Sequence, residues 1–181
     1  MSYDFVLFRP GDGVDPREDD GEDAPERGLR DPAVEAVKRR VVDALLAHDA
    51  RLKLFAFDFD EIAKLHKMPV EQVYERFRHL EIHDESERTS GIQITLFDDR
   101  ASLTIPFWHK GEDARRVLTQ AWGYIGIICK ECGYEAYDRQ VDRVIDAGTF
   151  EDVLACYEGA ERRIEGLVRP PPARKPWWKF W

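Results

Sequence analysis

The hydrophobic positions of this chain fall into short runs that repeat every two residues and longer runs that repeat every three or four. Tyr3 to Phe8 is an aromatic and β-branched run, stopped by Pro10, Gly11 and Gly13, and reads as a strand. A helix follows at Asp31, a good N-cap with Pro32 at the first helical position and Val34, Val37, Val41, Leu45 and His48 along one face. Leu52 to Phe57 is a compact apolar segment and a predicted strand. Glu61 to His66 and Val70 to Leu80 read as two short helices broken at Pro69, with residues 83–90 a polar loop.

The next segment predicts a hairpin. Ile92, Ile94 and Leu96 alternate with Gln93, Thr95 and Phe97, the chain turns at Asp98-Asp99-Arg100, and Leu103, Ile105 and Phe107 alternate with Ser102, Thr104 and Pro106. Because Pro106 has no N–H to give to a ladder, its strand is expected to lie at an edge or to end there. From Gly111 to Cys132 the apolar residues keep three-and-four spacing over five turns, and Gly133 takes the position just past a helix end. Tyr134 to Tyr137 and Arg143 to Ile145 are short strand candidates. A last helix opens at Thr149, with Asp152 three residues on, presents Phe150, Val153, Leu154, Tyr157 and Ile164, and closes at Gly166.

These elements predict an α+β fold on the ferredoxin-like βαββαβ plan, with helices on one face of the sheet. An αα-hairpin, residues 58–82, is inserted before the hairpin strands. The expected organisation is one domain over residues 1–166, with an acidic loop at 10–30, followed by a Pro-rich basic and aromatic tail at 167–181.

Composition narrows the function classes. A chain of 181 residues can bury roughly 70% of its unfolded surface, so it needs neither disulfide nor metal to hold a core. Its mean hydropathy is -0.53, and no apolar run approaches the roughly 20 residues of a membrane span. The N-terminus has no signal-peptide pattern, and three cysteines, an odd number, suit a reducing compartment, so a cytoplasmic location is expected. The net charge of -9 disfavours a surface that clings to nucleic acid or anionic lipid. That charge divides into an acidic leader (residues 1–30, net -5), an acidic body of -8, and a tail (residues 166–181) of +4.

The candidate chemistry is sparse. Cys129-x-x-Cys132 lies in the last turn of its helix, where the dipole opposes thiolate formation, and both sulfurs fall on the apolar stripe. They read as core residues, and no second C-x-x-C or H-x-x-x-H supplies further ligands, so neither metal nor cofactor is expected. The segment Leu54 to Asp60 resembles the strand and D-x-D signature of haloacid-dehalogenase-type phosphatases over seven residues only. Its plainer reading is an acidic strand end with Asp60 capping the next helix. Trp108 and His109 sit where a strand passes into the long helix, a place that can form a pocket mouth, but no residue at informative spacing completes a catalytic set around His109.

Residues 61–80 resemble a helix-turn-helix, with Ala63 at the small position, Leu65 and Val73 as packing residues, and Arg76 and Arg78 on the recognition helix. The motif's net charge is only +1, little for phosphate neutralisation. In the tail, Pro170-Pro171-Pro172 favours an extended polyproline arm. Arg174, Lys175 and Lys179 then alternate with Trp177, Trp178, Phe180 and Trp181, a composition suited to an aromatic groove on a partner, to a membrane interface, or to folding back on the acidic body.

The segments MSYDFVLF, IQITLFDDRASLTIPFWHKGEDA and GYEAYDRQVDRVIDA resemble an uncharacterised family of small bacterial cytoplasmic proteins. These share an MSYD-type first strand, a hairpin ending in a TIPFW pattern and a GYxxYD turn. The resemblance implies an accessory or immunity-type protein of bacterial antagonism and carries no catalytic residue over. The expectation is therefore a non-enzymatic module that binds another protein, such as a basic toxin or a complex subunit, through its acidic body and its tail. The alternative is a helix-turn-helix regulator, and a phosphatase or hydrolase ranks third.

Overall fold

The computed structural model describes residues 2–11, 15–17, 30–84 and 90–168, the last eight by backbone alone. Its elements in chain order are β1 (Ser2–Phe8), α1 (Pro32–His48), β2 (Leu52–Leu54), α2 (Phe59–His66), α3 (Val70–Arg76), β3 (Leu80–Asp84), β4 (Gln93–Leu96) and β5 (Arg100–Pro106). Then come α4 (Glu112–Cys132), β6 (Glu135–Asp138), β7 (Arg143–Ile145), a single 3-10 turn at Ala147–Thr149, and α5 (Phe150–Val168). The class is α+β. The strands form one antiparallel sheet in the order β2-β3-β4-β5-β1-β6-β7.

Among the described residues the sheet has seven strands, where the βαββαβ plan has four. One extra strand comes from residues read as the end of the helical pair and the start of the polar loop: α3 stops at Arg76, and Leu80–Asp84 pairs with β4, placing Ile82 opposite Ile94. β2 is also shorter than its apolar run, since Phe55 to Asp58 leave the ladder and lead outward to α2. Pro106 does end its strand, but β5 lies inside the sheet between β4 and β1 rather than at an edge. At the last helix the cap is Asp146, whose side chain accepts from Gly148 N while Thr149 Oγ1 accepts from Asp146 N. Thr149 therefore completes a capping box rather than opening one.

One face of the sheet is apolar. Tyr3, Phe5 and Leu7 of β1 point the same way as Leu103, Ile105 and Ile94, and all are buried. Over them pack Val41 and Leu45 of α1, Val117, Ala121 and Ile128 of α4, and Val153, Leu154 and Tyr157 of α5. Each large side chain of this kind contributes about 1.5–3 kcal/mol on burial. Three aromatic rings, Tyr3, Phe107 and Tyr157, meet at centroid distances of 5.5–6.0 Å, and Tyr157 donates its hydroxyl proton to the Pro106 carbonyl. The α5 start thus sits beside β7, and its course is tied to the far end of β5. Among the described residues no helix is long and apolar enough to cross a membrane.

Candidate functional site

His109 is nearly fully buried, and both its ring nitrogens face acceptors. Nδ1 lies 2.6 Å from Asp113 Oδ2 and Nε2 lies 2.7 Å from the Ser90 carbonyl. The backbone N–H of Ser90 donates to Asp84 Oδ2 at 3.1 Å. Both ring nitrogens are engaged inside the fold. His109 ties residue 90 and the end of β3 to the first turn of α4. The Asp113 carboxyl is held below its usual range, first by Arg116 and then by His109.

Trp108 is 61% exposed, and its six-membered ring lies against Gly91. Gly91 has φ of +67°, and a Cβ built there would come within 2.6 Å of both Pro106 Cγ and Trp108 Cζ2. Trp108 and His109 together clasp the Ser90–Gly91 segment against the start of α4. Gly91→Ala combines a left-handed backbone with two close contacts and should destabilise by about 2–3 kcal/mol, read as a lower midpoint in urea unfolding.

A second clasp was not foreseen. Asp49, just past α1, accepts from Tyr124 Oη at 2.6 Å and from Gln120 Nε2 at 3.2 Å, and is gripped by Arg51 through two side-chain bonds. The Arg51 guanidinium holds the Asp49 carboxyl far below the ordinary range. Tyr124 sits on the apolar face of α4, and only its i+4 spacing from Gln120 hinted that its hydroxyl would have a neighbour.

The remaining candidates also resolve into structural roles. Asp58, not Asp60, caps α2, accepting from Glu61 N at 2.9 Å, while Asp60 is exposed in the first turn. Burial pushes the Cys129 thiol up to about 11 and raises Cys132 too, so neither is a ready nucleophile. Among the described residues no group of three or more His, Cys, Asp or Glu is placed to hold a metal ion.

The helix-turn-helix reading meets two corrections. Leu65, expected to pack, is 75% exposed, and Arg78, expected on the recognition helix, lies beyond the end of α3. Arg78 is 3% exposed, with NH2 at 2.8 Å from Asp98 Oδ2 and NH1 at 3.2 Å from Glu75. It cannot reach a phosphate from there. Arg76 is exposed.

What the α2–α3 pair does present is a chain of aromatic rings. Phe55, Phe57 and Phe59 alternate as the chain leaves β2. Phe57 meets Phe55 at 5.1 Å and His79 at 5.1 Å, both edge to face, and Phe59 meets Tyr74 at 4.3 Å. Phe77 joins Phe57 and His79, and His79 continues the chain to the buried Phe97. Between these rings and α1 lies a cavity of about 380 Å³, with Arg39 on its α1 side. Phe55 and Tyr74 are 42% and 47% exposed, and α2 buries none of its residues. Rings of this kind usually go into a core, and here Phe55 and Tyr74 stay exposed beside the edge strand β2.

The tail residues named from the sequence, Arg174, Lys175, Trp177, Trp178, Lys179, Phe180 and Trp181, lie outside the described residues, as does most of the 10–30 loop. Comparison with protein-family models, with curated proteins and with solved structures finds no match to this chain.

Proposed function

We propose that this chain is a non-enzymatic protein-binding module of the immunity or adaptor type, working in the cytoplasm. Its partner is another protein, with a basic toxin or a complex subunit as the expected kind. The observation that supports this reading is the exposed aromatic face of α2 and α3, flanked by the short edge strand β2. Buried aromatic anchors carry most of the energy in protein interfaces, and Phe55 and Tyr74 are the rings with most area left to bury. The acidic body would steer a basic partner toward this face. An enzymatic reading has less behind it, since His109, Asp58 and the cysteines are all engaged in holding the fold. The helix-turn-helix reading is weakened, since Arg78 lies beside Asp98 and only Arg76 of its two arginines is exposed.

We also propose that β4-β5-β1-β6, with α1 and α4, is a ferredoxin-like unit to which β2, β3 and β7 are added. Its support is that these four strands follow the neighbour order the βαββαβ plan requires.

The test is affinity capture from the source cell with the full chain and with a Phe55→Ala/Tyr74→Ala variant. One specific partner should be retained, with affinity falling at least tenfold in the variant and falling further as salt rises. Equal capture by both proteins, or capture of nothing specific, overturns the reading.

A further inference from the structure

A groove of about 470 Å³ runs between α4 and the β6–β7 pair, beside the turn that starts α5. Trp122, Ile125, Cys129, Tyr134 and Ile145 wall it, and Val144 stands 46% exposed at its rim. The charged residues lining it are both acidic, Glu135 and Asp146. Gly126 of α4 also lines the groove, and a Cβ added there would meet nothing within 4 Å. Glycine weakens a helix interior relative to alanine, so one that faces open space calls for a reason. Close approach of a bulky group to the helix backbone is such a reason.

We propose that this groove is the seat of the chain's own C-terminal segment, Trp177 to Trp181. Charge and polarity agree: an apolar trough edged by two carboxylates faces a segment of four aromatic residues with Lys179 among them and Arg174 and Lys175 just before. Length agrees as well. Asp146 and Ala147 belong to the groove, and α5 starts three residues later and runs 19 residues to Val168, about 27 Å away. The next eight residues, Arg169 to Pro176, include four prolines, and a polyproline conformation of that length would reach about 25 Å. A chain turning back along α5 therefore delivers Trp177 to the place where the helix began. The inference stands apart from the partner reading, because no partner enters its argument or its test.

Tryptic cleavage of the Lys179–Phe180 bond in the full chain, followed by mass spectrometry, reads the seat directly. The bond should be cut at least tenfold more slowly than in a synthetic peptide of residues 169–181, at a rate independent of protein concentration. Gly126→Trp fills the groove from its floor and should restore the peptide's rate, whereas Gly126→Ala should not, with circular dichroism showing both variants folded. Glu135→Lys, a surface change, should raise the rate several-fold at low salt. Cleavage of the unaltered chain at the peptide's rate overturns the proposal, as does protection that survives Gly126→Trp. Protection that grows with protein concentration overturns it too, by making a second copy the occupant.

Discussion

Asp98→Ala is expected to destabilise the protein by about 3–5 kcal/mol, the range for leaving buried charges without their counter-ion. Asp98 sits in the turn between β4 and β5, and its two oxygens serve two different cations. Oδ1 takes Lys38 Nζ at 2.7 Å, and Oδ2 lies 2.8 Å from Arg78 NH2. Lys38 and Arg78 are each only 3% exposed. Lys38 also donates to the Arg78 carbonyl at 3.0 Å and forms an ion pair with Glu35 Oε1 at 2.8 Å. The network joins α1, the end of α3 and the hairpin turn, so its loss should loosen the inserted helical pair first.

Two features separate this from a surface effect. Because the pairs are buried, the loss should persist in 0.5 M salt, where exposed bridges are screened. And Lys38→Met combined with Asp98→Asn should cost less than the sum of the single changes, since removing both partners leaves one fewer unpaired charge. Urea unfolding of the four proteins supplies the cycle. A loss below about 1 kcal/mol for Asp98→Ala, or strict additivity, would show that water reaches the cations.

The elements that the sequence made legible are those whose pattern had room to repeat. Five turns of apolar spacing gave α4, and the alternation on both sides of Asp98-Asp99-Arg100 gave the β4–β5 hairpin. β3 was hidden because Val70, Val73, Tyr74, Phe77 and Leu80 satisfy helical spacing straight through its start. Pairing with β4, which no local pattern reports, decides against the helix at Leu80. The buried charges were hidden for the same reason at longer range. Lys38 reads as the polar side of an amphipathic helix, and only a partner 60 residues away makes it an interior residue. The aromatic face was present in the spelling of Phe55, Phe57 and Phe59, but alternate phenylalanines normally announce a buried strand. Only the end of β2 at Leu54 turns them into a surface.

Asp138 should give the second large effect, and one with an unusual pH dependence. It is fully buried at the end of β6, where Oδ2 accepts from Tyr3 Oη at 2.6 Å and Oδ1 accepts from the backbone N–H groups of Gln140 and Val141 at 2.7 and 3.1 Å. Asp138→Ala leaves those three donors without their acceptor, with Tyr3 Oη in the core, and should cost about 3 kcal/mol or more. Burial raises the carboxyl above its ordinary value, and the three hydrogen bonds, which pull the other way, do not cancel it. A raised value means that the folded state binds this proton more tightly than the unfolded chain does. The ionised carboxylate therefore carries a penalty that is absent below the unfolded value near pH 4, appears as pH rises through the folded value, and is complete above it. Asp49, held down by Arg51, behaves oppositely and loses its contribution as pH falls. Asp138→Asn keeps an oxygen for the two backbone donors and removes the charge. Its stability relative to the unaltered protein should improve as pH rises from 4 to 7, measured by urea unfolding at each pH. A difference that stays flat across that range would mean that Tyr3 and the two N–H groups solvate the charge as well as water does.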